Sequence, residues 1–332
     1  MRVSDSLPII TVLIAARPGQ AQVKAVPASR ALDYPTQKLQ ILVARGRQPS
    51  AQRNIGMKMA RGELIYFLDD DSVPRPQNLK IAARHFQEAS VKMVGGANVC
   101  PDDAPRLEKV FALVLSSWLA FGPSRARYAA LGRLRETSEK ELILCNLMAR
   151  REALIELGGF NEALYPNEEN ALMDELQKRG GKLLYDPDFV VARRPRPNLK
   201  AFTRMLMTYG RGRAEQFRLH PTLGSALNFL PPLFLLYVIA TVCALVFAPA
   251  IGRLLLIPLG LHASAVLGQV FVFATNAPIG RSIAAAPLIV LTHLLYGFGF
   301  WRGLFTPLKA PTERSPVPVE MEEIEVGQAK SL

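Results

Sequence analysis

Three consecutive carboxylates, Asp69, Asp70 and Asp71, stand directly after an apolar run with β-strand character. Three adjacent acids repel one another, so burying them without a cation would be unfavourable. A solvated acidic loop is one interpretation. Their position supports a second one, because open α/β sheets bind ligands at the carboxyl ends of their strands. Carboxylates suit a hard divalent cation that also holds substrate phosphates, so the segment indicates a candidate metal–diphosphate site.

Two further groups of polar residues could take part in chemistry at such a site. Glu168 and Glu169 open a predicted helix, where acids often only complement the helix dipole. Arg53 and Asn54 lie in another predicted helix, and Arg53 could contact a nucleotide because a guanidinium pairs well with phosphate. An exposed helix charge is the alternative interpretation of Arg53. Neither group is diagnostic when it is taken alone.

The elements that must position these residues alternate between strand-like and helix-like segments. Strands are predicted at residues 9–14, 39–43, 64–68, 91–94, 141–147 and 182–185. Helices are predicted at residues 20–32, 50–60 with Ser50 as N-cap, 76–89, 110–121, 150–157 and 168–179. Strands separated by helices of this length favour right-handed βαβ units and a parallel sheet. The fold class is therefore α/β.

A basic segment follows this α/β region. Residues 193–218 contain eight Lys or Arg residues against the single acid Glu215, and apolar side chains recur among them at near-helical spacing. This pattern is typical of an amphipathic helix that lies on an anionic membrane surface. Arg204, Arg211 and Arg213 are the candidate membrane- or phosphate-binding residues. The alternative is a solvated basic face of a soluble domain.

Three long segments without Asp, Glu, Lys or Arg come next, and each reaches the length needed to cross a bilayer. The predicted spans are Asn228–Phe247, Leu254–Phe273 and Ile283–Phe300. The basic segment before them predicts that the preceding domain is cytoplasmic. Three full crossings would place Arg302, Lys309 and Arg314 outside, against the same rule, so one segment could be re-entrant. The residues after 305 are predicted to be disordered.

Composition narrows the range of functions. The net charge of +12 suggests an anionic partner, such as nucleic acid, anionic lipid or a phosphate-rich substrate. Nucleic acid is disfavoured because the basic residues cluster beside the first span and no aromatic–basic recognition motif is present. A transporter is disfavoured because the spans contain no Asp, Glu or Lys that could line a pathway. The three cysteines show no zinc-site or disulfide spacing.

Taken together, the motifs are similar to those of glycosyltransferase family 2 enzymes with the GT-A fold. More narrowly, the chain resembles membrane-anchored, succinoglycan-type exopolysaccharide glycosyltransferases. The resemblance covers nearly all of the chain up to about residue 305 and rests on the order and spacing of five motifs. They are Asp69-Asp70-Asp71, Gly158-Gly159-Phe160-Asn161-Glu162, Asn167-Glu168-Glu169-Asn170, Tyr185-Asp186-Pro187 and Tyr209-Gly210-Arg211-Gly212-Arg213-Ala214.

This resemblance implies a chemistry for the acidic residues. It implies inverting transfer from a nucleotide-sugar, with a UDP-sugar favoured, to a polyprenyl-phosphate-linked or polysaccharide acceptor. Mg²⁺ or Mn²⁺ would be held by Asp69 and Asp71, with Asp70 near the nucleotide, and would stabilise the leaving diphosphate as a Lewis acid. Glu169 takes the place of the general base, where the family most often has Asp, and Glu168 precedes it.

The chain departs from the family pattern in its nucleotide loops. The second strand leads into Ala44-Arg45-Gly46-Arg47, without the acid that usually contacts the nucleobase, and the first leads into Ala16-Arg17-Pro18-Gly19 instead of a Pro-Ala-x-Asn-Glu-like loop. The Gln-x-x-Arg-Trp motif of processive synthases is absent, which favours transfer of one sugar per binding event. A catalytically inactive, glycosyltransferase-like membrane scaffold is therefore the alternative function.

The expected organisation has four parts. Residues 1–192 form the GT-A catalytic domain, with a Rossmann-like, mostly parallel sheet, and residues 193–222 form the basic interfacial helix region. Residues 223–305 form the transmembrane region and residues 306–332 the disordered tail. The expected location is the bacterial inner membrane, with a multi-pass anchor and a cytoplasmic catalytic domain.

Overall fold

The computed structural model of the protein describes residues 7–162, 168–219, 221, 223–308 and 318–327. Tyr165, Pro166 and Asn167 of the predicted acidic motif lie outside the described residues, as do Lys309 and Arg314. The chain divides into two compact units. The sheet unit comprises Met1–Pro101, Ala126–Arg194 and Lys309–Leu332, and the helical unit comprises Asp102–Arg125 and Pro195–Leu308.

The strands and helices of the described residues are as follows. The strands are β1 Ile10–Ala16, β2 Leu39–Arg45, β3 Leu64–Asp69, β4 Val73–Pro74, β5 Val91–Gly95, β6 Asn98–Val99, β7 Arg135–Glu136, β8 Asn146–Arg150, β9 Lys182–Tyr185, β10 Val191–Ala192 and β11 Glu320–Ile324. The α-helices are α1 Ala25–Arg30, α2 Pro49–Met59, α3 Asn78–Ala83, α4 Arg106–Leu115, α5 Trp118–Phe121, α6 Arg151–Glu156, α7 Glu168–Lys178, α8 Leu199–Leu219, α9 Leu230–Phe247, α10 Pro249–Ala274 and α11 Ile279–Phe305.

An eight-stranded sheet forms the centre of the sheet unit, in the order β11-β2-β1-β3-β8-β5-β9-β7. Strand β1 pairs in parallel with β2 and with β3, and β5 pairs in parallel with β9. Strand β8 runs antiparallel between β3 and β5. A second sheet has the order β4-β10-β6. The predicted α/β class and its GT-A-like, mixed but largely parallel sheet are confirmed.

The central strands are apolar along their whole length because both faces of the sheet are covered. In β1, Ile10, Val12 and Ile14 pack into one hydrophobic core, whereas Leu13 packs into another. Alternate residues of a strand point to opposite faces, so a continuous apolar run serves two cores at once. The pattern that predicted these strands is therefore the consequence of double burial.

The helical unit contains α4, α5 and α8–α11. Three of its segments are long and apolar enough to cross a membrane, namely Ala226–Phe247, Pro249–Ala274 and Ile279–Phe305. The predicted spans fall within these segments. The basic amphipathic helix predicted between residues 193 and 218 is also present, as α8.

Several local boundaries differ from the predictions. The helix predicted from Ser50 begins at Pro49, with Gln48 as N-cap, because proline is favoured in the first turn. The strand predicted at residues 141–147 is displaced to β8. The helix predicted at 110–121 is interrupted, and Ser117 caps α5 by accepting a hydrogen bond from the Ala120 amide.

The prediction of a disordered tail is wrong for β11. This strand pairs antiparallel with β2 from Glu320 opposite Arg45 to Ile324 opposite Ile41. Ile324 packs against one core and Met321 against the other. Composition describes the tail in isolation, but the exposed edge of β2 offers it backbone partners and apolar surface. As a result the sheet unit is not the contiguous segment 1–192, since it includes the tail and lacks residues 102–125.

Candidate active site

The acidic triplet lies at the carboxyl end of β3, in the middle of the large sheet. Asp69 is the last residue of β3, and the Ser72 amide donates to the Asp69 carbonyl (3.1 Å), which turns the chain away from the sheet. The Ser72 hydroxyl donates to the carbonyl of Cys145 (3.2 Å) and anchors this turn. Parallel strands β1 and β3 end at this edge, so the acids lie where the fold class predicts a ligand site.

Arg193 bridges two of the three acids. Its Nη2 lies 3.0 Å from Asp69 Oδ2, and its Nε lies 2.6 Å from Asp71 Oδ1. Burial alone would lower the pKa of Arg193, but the carboxylates of Asp69 and Asp71 raise it well above its ordinary value. Arg193 is therefore a permanent cation between the two predicted metal ligands.

Arg53 joins the triplet to the second acidic cluster. Its Nη2 lies 3.2 Å from Asp69 Oδ1, and its Nη1 lies 3.2 Å from Glu168 Oε1. The side chain projects from α2 and is buried. The charges thus alternate along one connected series, which we call the acid–arginine chain, and its members are Asp71, Arg193, Asp69, Arg53 and Glu168.

The two glutamates at the start of α7 have different environments. Glu168 is buried, with a side chain 4% exposed, and its Oε2 has no hydrogen-bond partner among the described residues. Burial raises the pKa of Glu168, and repulsion from Glu169 raises it further, to about 7, although Arg53 opposes both effects. Glu169 is only partly buried. Glu168 is therefore held inside the site, while Glu169 is accessible.

Asp70 is in contact with the loop after β1 through Gln20. Burial raises the pKa of Asp70, a hydrogen bond from Gln20 lowers it, and the charges of Asp71 and Asp69 raise it again, with a net increase. Its backbone carbonyl accepts from the Ala25 amide (3.1 Å) at the start of α1. Asp70 therefore connects the acidic turn to the first predicted nucleotide loop.

Asn54 uses its amide to hold the turn around Gly158-Gly159-Phe160. Its Nδ2 donates to the Phe160 carbonyl and to Glu162 Oε1, each at 2.9 Å, and its Oδ1 accepts from the Phe160 amide at 2.8 Å. Gly159 has φ +82°, and a Cβ there would lie 2.5 Å from Asn54 Oδ1. Glycine is thus required for both conformation and space. The Asn54 side chain already makes these hydrogen bonds, so the predicted contact with a nucleotide would require the same atoms.

Asp186 of the Tyr185-Asp186-Pro187 motif orders the chain that leads to Arg193. Its Oδ2 lies 2.7 Å from His85 Nε2 and 3.2 Å from Arg84 Nη2, and its Oδ1 accepts from the Asp188 amide (2.9 Å). Burial alone would raise the pKa of Asp186, but these hydrogen bonds lower it below its usual range. Strand β10 follows, and the Arg193 amide then donates to the Val99 carbonyl (2.9 Å).

Sequence reasoning missed Arg193 as a site residue. It lies 122 positions from Asp71 and was grouped with the basic membrane segment because its neighbours Arg194 and Arg196 are also basic. The remaining basic candidates lie on α8 in the helical unit. There Arg204 is exposed, Arg211 Nε lies 3.4 Å from Glu215, and Arg213 Nη1 donates to Gln216 (3.1 Å).

The donor atoms at the triplet fit a divalent cation of the hard class. Within the described residues, no group of three or more His, Cys, Asp or Glu side chains is placed to hold a metal by itself. Asp69 and Asp71 nevertheless supply two carboxylates to one position, where the guanidinium of Arg193 already compensates their charge. Mg²⁺ in particular is bound by one or two carboxylates plus substrate phosphates, so two protein ligands suffice.

Part of the chain is similar to a known protein family. Residues 30–158 match the model of "Glycosyl transferase family 2", and this match includes the acidic triplet and Arg53. The succinoglycan biosynthesis protein ExoA of Rhizobium meliloti (strain 1021) is 28% identical over 199 residues, which cover 59% of this chain and 56% of ExoA. The pre-mycofactocin glycosyltransferase of Mycobacterium tuberculosis is 26% identical over 185 residues, covering 52% of this chain and 36% of that protein. These alignments span about half or less of each relative's length.

A solved structure shares the fold. The mannosyltransferase PcManGT from Pyrobaculum calidifontis, solved in complex with GDP-Man and Mn²⁺, superposes with a TM-score of 0.52. The superposition covers 90% of this chain and 88% of that protein at 15% sequence identity, so it supports the fold alone. The helices described above make this a membrane-associated chain. Over residues 30–158 the chain is therefore similar to glycosyl transferase family 2 enzymes, and its sheet is GT-A-like.

Proposed function

We propose that the protein is an inverting, metal-dependent glycosyltransferase that acts in exopolysaccharide or cell-surface glycan biosynthesis. It moves a sugar from a nucleotide-sugar to a lipid-linked or polysaccharide acceptor at the cytoplasmic face of the bacterial inner membrane. The observation that carries this proposal is the acid–arginine chain at the carboxyl end of β3, of which Arg53, Asp69 and Asp71 lie within the residues that match the family 2 model. It brings two candidate metal ligands, two cations and a high-pKa carboxyl group together in one connected series.

The leaving group sets the charge requirement at the triplet. When the bond between the anomeric carbon and the diphosphate breaks, negative charge develops on the diphosphate. Asp69 and Asp71 would hold Mg²⁺ or Mn²⁺, which supplies Lewis-acid stabilisation of that charge when it is bound. Arg193 and Arg53 add positive charge beside the same position and are suited to phosphate oxygens. The Mn²⁺ in the mannosyltransferase complex supports the choice of cation.

The acceptor hydroxyl needs a base on the opposite face of the sugar. We assign Glu169 to this role because its side chain is partly exposed at the start of α7, whereas Glu168 is buried against Arg53. Glu169 takes the hydroxyl proton as the acceptor oxygen forms its bond to the anomeric carbon and the diphosphate leaves. Attack opposite to the leaving group inverts the anomeric configuration. Glu168 positions Arg53.

The donor is a nucleotide-sugar, with a UDP-sugar favoured. The GDP-Man in the mannosyltransferase complex supports the donor class. The acceptor proposal, a polyprenyl-phosphate-linked sugar, is supported by the membrane-associated helices and by the basic residues of α8, which can bind lipid phosphates. The similarity to ExoA supports a place in exopolysaccharide biosynthesis.

Release of nucleoside diphosphate tests the activity. The purified full-length protein is given a panel of UDP- and GDP-sugars with a membrane lipid extract, in Mn²⁺ or in EDTA. We expect release with one donor, its loss in EDTA, and its loss in Asp71→Ala but not in Asp103→Ala, an exposed acid outside the site. Full turnover of Asp71→Ala in EDTA would show that the metal assignment is wrong.

The alternative function is an inactive scaffold, and one observation favours it. Arg193 already neutralises the two predicted metal ligands, so the site is electrostatically satisfied without a metal. A scaffold releases no diphosphate from any donor of the panel, with or without lipid, even when it binds nucleotide. The same panel therefore separates the two functions.

A further inference from the structure

The path of the chain restricts how many helices cross the membrane. The chain leaves the sheet unit after Arg194, passes through the helical unit, and returns to the sheet unit as β11. Strand β11 belongs firmly to the sheet. Five of its residues pair with β2. In addition, Glu322 forms an ion pair with Arg45 (3.0 Å), and Glu323 forms one with Arg61 (2.5 Å). The end of the chain therefore lies on the same side of the membrane as the sheet.

The link from α11 to β11 cannot itself cross the bilayer. Residues 306–319 include four prolines and three charged side chains. Only helices and closed barrels satisfy their backbone groups in hydrocarbon, and this sequence contains no uninterrupted apolar run of the roughly 20 residues that a helical crossing needs. The helices between Arg194 and β11 must therefore cross an even number of times. Three crossings are excluded, although three helices are apolar enough.

The C-terminal half of α11 lies at the depth of α8. A Cβ on Gly299 would lie 2.1 Å from the Met207 carbonyl oxygen, and one on Gly210 would lie 2.0 Å from the Tyr296 carbonyl oxygen. The two helix backbones are thus in direct contact. Because α8 carries five Lys or Arg residues, it cannot lie in the hydrocarbon core. The part of α11 in contact with it lies outside the core too.

The remaining half of α11 is too short to cross. Where this half ends, His293 Nε2 lies 2.9 Å from the Leu119 carbonyl, and its ring lies 5.2 Å from that of His262 on α10. Residues 279–292 span about 21 Å at 1.5 Å per residue. The hydrocarbon core is about 30 Å thick. Residues 279–292 therefore lie beside the last turns of α10 and do not reach the opposite face of the membrane.

Helices α9 and α10 have the dimensions of a crossing pair. They are separated by Ala248 alone, and they pack against each other through the Tyr237 hydroxyl, which donates to the Leu255 carbonyl. Only 11% of the most apolar stretch of α9 is buried within the protein, and the same share is buried in α10. In α11 the buried share is 39%. The exposed apolar surface therefore belongs mainly to α9 and α10.

We propose that α9 and α10 are the two membrane crossings and that α11 stays at the face from which the chain enters. Lipid hydrocarbon is the partner of the exposed side chains of α9 and α10. The far turn at Ala248 lies on the opposite face. The turn between α10 and α11, with Arg281 beside it, returns to the entry face.

Cysteine accessibility in the full-length protein tests this topology. In a background with Cys100→Ser and Cys243→Ser and with buried Cys145 retained, four exposed positions receive single cysteines: Lys58→Cys in the sheet unit, Ala250→Cys after the far turn, Asn276→Cys in the second turn and Gly327→Cys after β11. A membrane-impermeant maleimide is applied to spheroplasts and to inside-out vesicles. A permeant maleimide after solubilisation shows that each cysteine is present.

We expect positions 58, 276 and 327 to be labelled from one face and position 250 from the other. Position 327 opposite position 58 would mean three crossings and would overturn the proposal. If position 276 alone were labelled from the far face, α10 and α11 would be the crossing pair. If all four positions were labelled from one face, no helix would cross the membrane. Because position 58 is the reference, the result does not depend on the proposed cytoplasmic orientation. An alkaline phosphatase fusion after Leu332, inactive if the end lies in the cytoplasm with position 58, checks the tail without the Gly327 substitution.

Discussion

At the residue scale, the division of roles between Glu168 and Glu169 can be measured. A general base contributes about 10²–10⁴-fold to the rate, so Glu169→Gln is expected to lose that much in kcat while nucleotide-sugar binding survives. Glu168→Gln keeps the shape but weakens the charge-assisted contact to Arg53, so we expect a milder effect, mainly on KM. Steady-state kinetics on both variants provide the comparison. The opposite order of effects would place the base at Glu168.

The raised pKa of Glu168 predicts a titration near neutral pH. Because burial raises the folded-state pKa to about 7, above the unfolded value, proton binding stabilises the folded state. This stabilisation is fully present below the unfolded pKa and is lost as the pH rises through about 7. We expect an infrared carbonyl band of a protonated carboxylic acid that disappears over this range. Glu168→Gln removes the band, and a band that survives in this variant belongs to another group.

Arg193 competes with a metal for Asp69 and Asp71. Removing its charge leaves the two carboxylates unpaired, and unpaired neighbouring carboxylates attract a cation more strongly. We expect Arg193→Gln to bind Mn²⁺ about tenfold more tightly without nucleotide, which corresponds to about 1.4 kcal/mol. Arg193→Lys keeps the charge and serves as the control. Calorimetric titration with Mn²⁺ measures both, and equal affinities in Arg193→Gln and the wild type would refute the competition.

At the scale of elements, β11 offers a local test of the sheet. Ile324 packs against the core, whereas Glu323 lies beside it on the surface and pairs with Arg61. Ile324→Asp places a charge against apolar surface and is expected to release the strand, whereas Glu323→Gln loses a surface ion pair worth up to about 1 kcal/mol. Limited proteolysis after residue 318 measures release. Equal protection in both variants would mean that β11 does not depend on core contact.

Close contact between α8 and α11 gives the second element-scale prediction. Gly299 lies against the Met207 carbonyl, so Gly299→Leu forces the helix backbones apart. Overpacking of this kind costs about 1–3 kcal/mol or more. Gly268→Leu on α10 is the matched control, because a Cβ there meets no atom within 4 Å. Thermal unfolding in detergent should show a lower Tm for Gly299→Leu alone, and an equal decrease in both would point to a general effect of the added leucine.

At the scale of the whole molecule, membrane association affects which acceptor the enzyme can use efficiently. If the acceptor is lipid-linked, as proposed, the lipid keeps it at the bilayer surface, where the enzyme is also held. We therefore expect a lipid-linked sugar to be a much better acceptor than the same sugar in water. Reconstitution in vesicles with each acceptor, at equal bulk concentration, measures the difference. Equal rates would rule out recognition of the lipid part.

Much of this organisation could be predicted from the sequence because the signals are local. The continuous apolar runs of β1, β2 and β3 follow from burial on both faces of the sheet. The triplet after β3 marks the ligand-binding edge because Asp69 is the last residue of a parallel strand. Residue type, spacing and strand order are enough for these conclusions, and they led to the resemblance that the match over residues 30–158 confirms.

Other features depend on tertiary structure because their partners are distant in the chain. Arg193 looks like part of a basic segment until β10 places it between Asp69 and Asp71, 122 residues from the latter. The tail looks disordered until the edge of β2, some 280 residues earlier, offers it hydrogen bonds. Composition measures what a segment can do alone. Pairing across such separations is decided by the folded sheet, which brings the segments together and makes their contacts favourable.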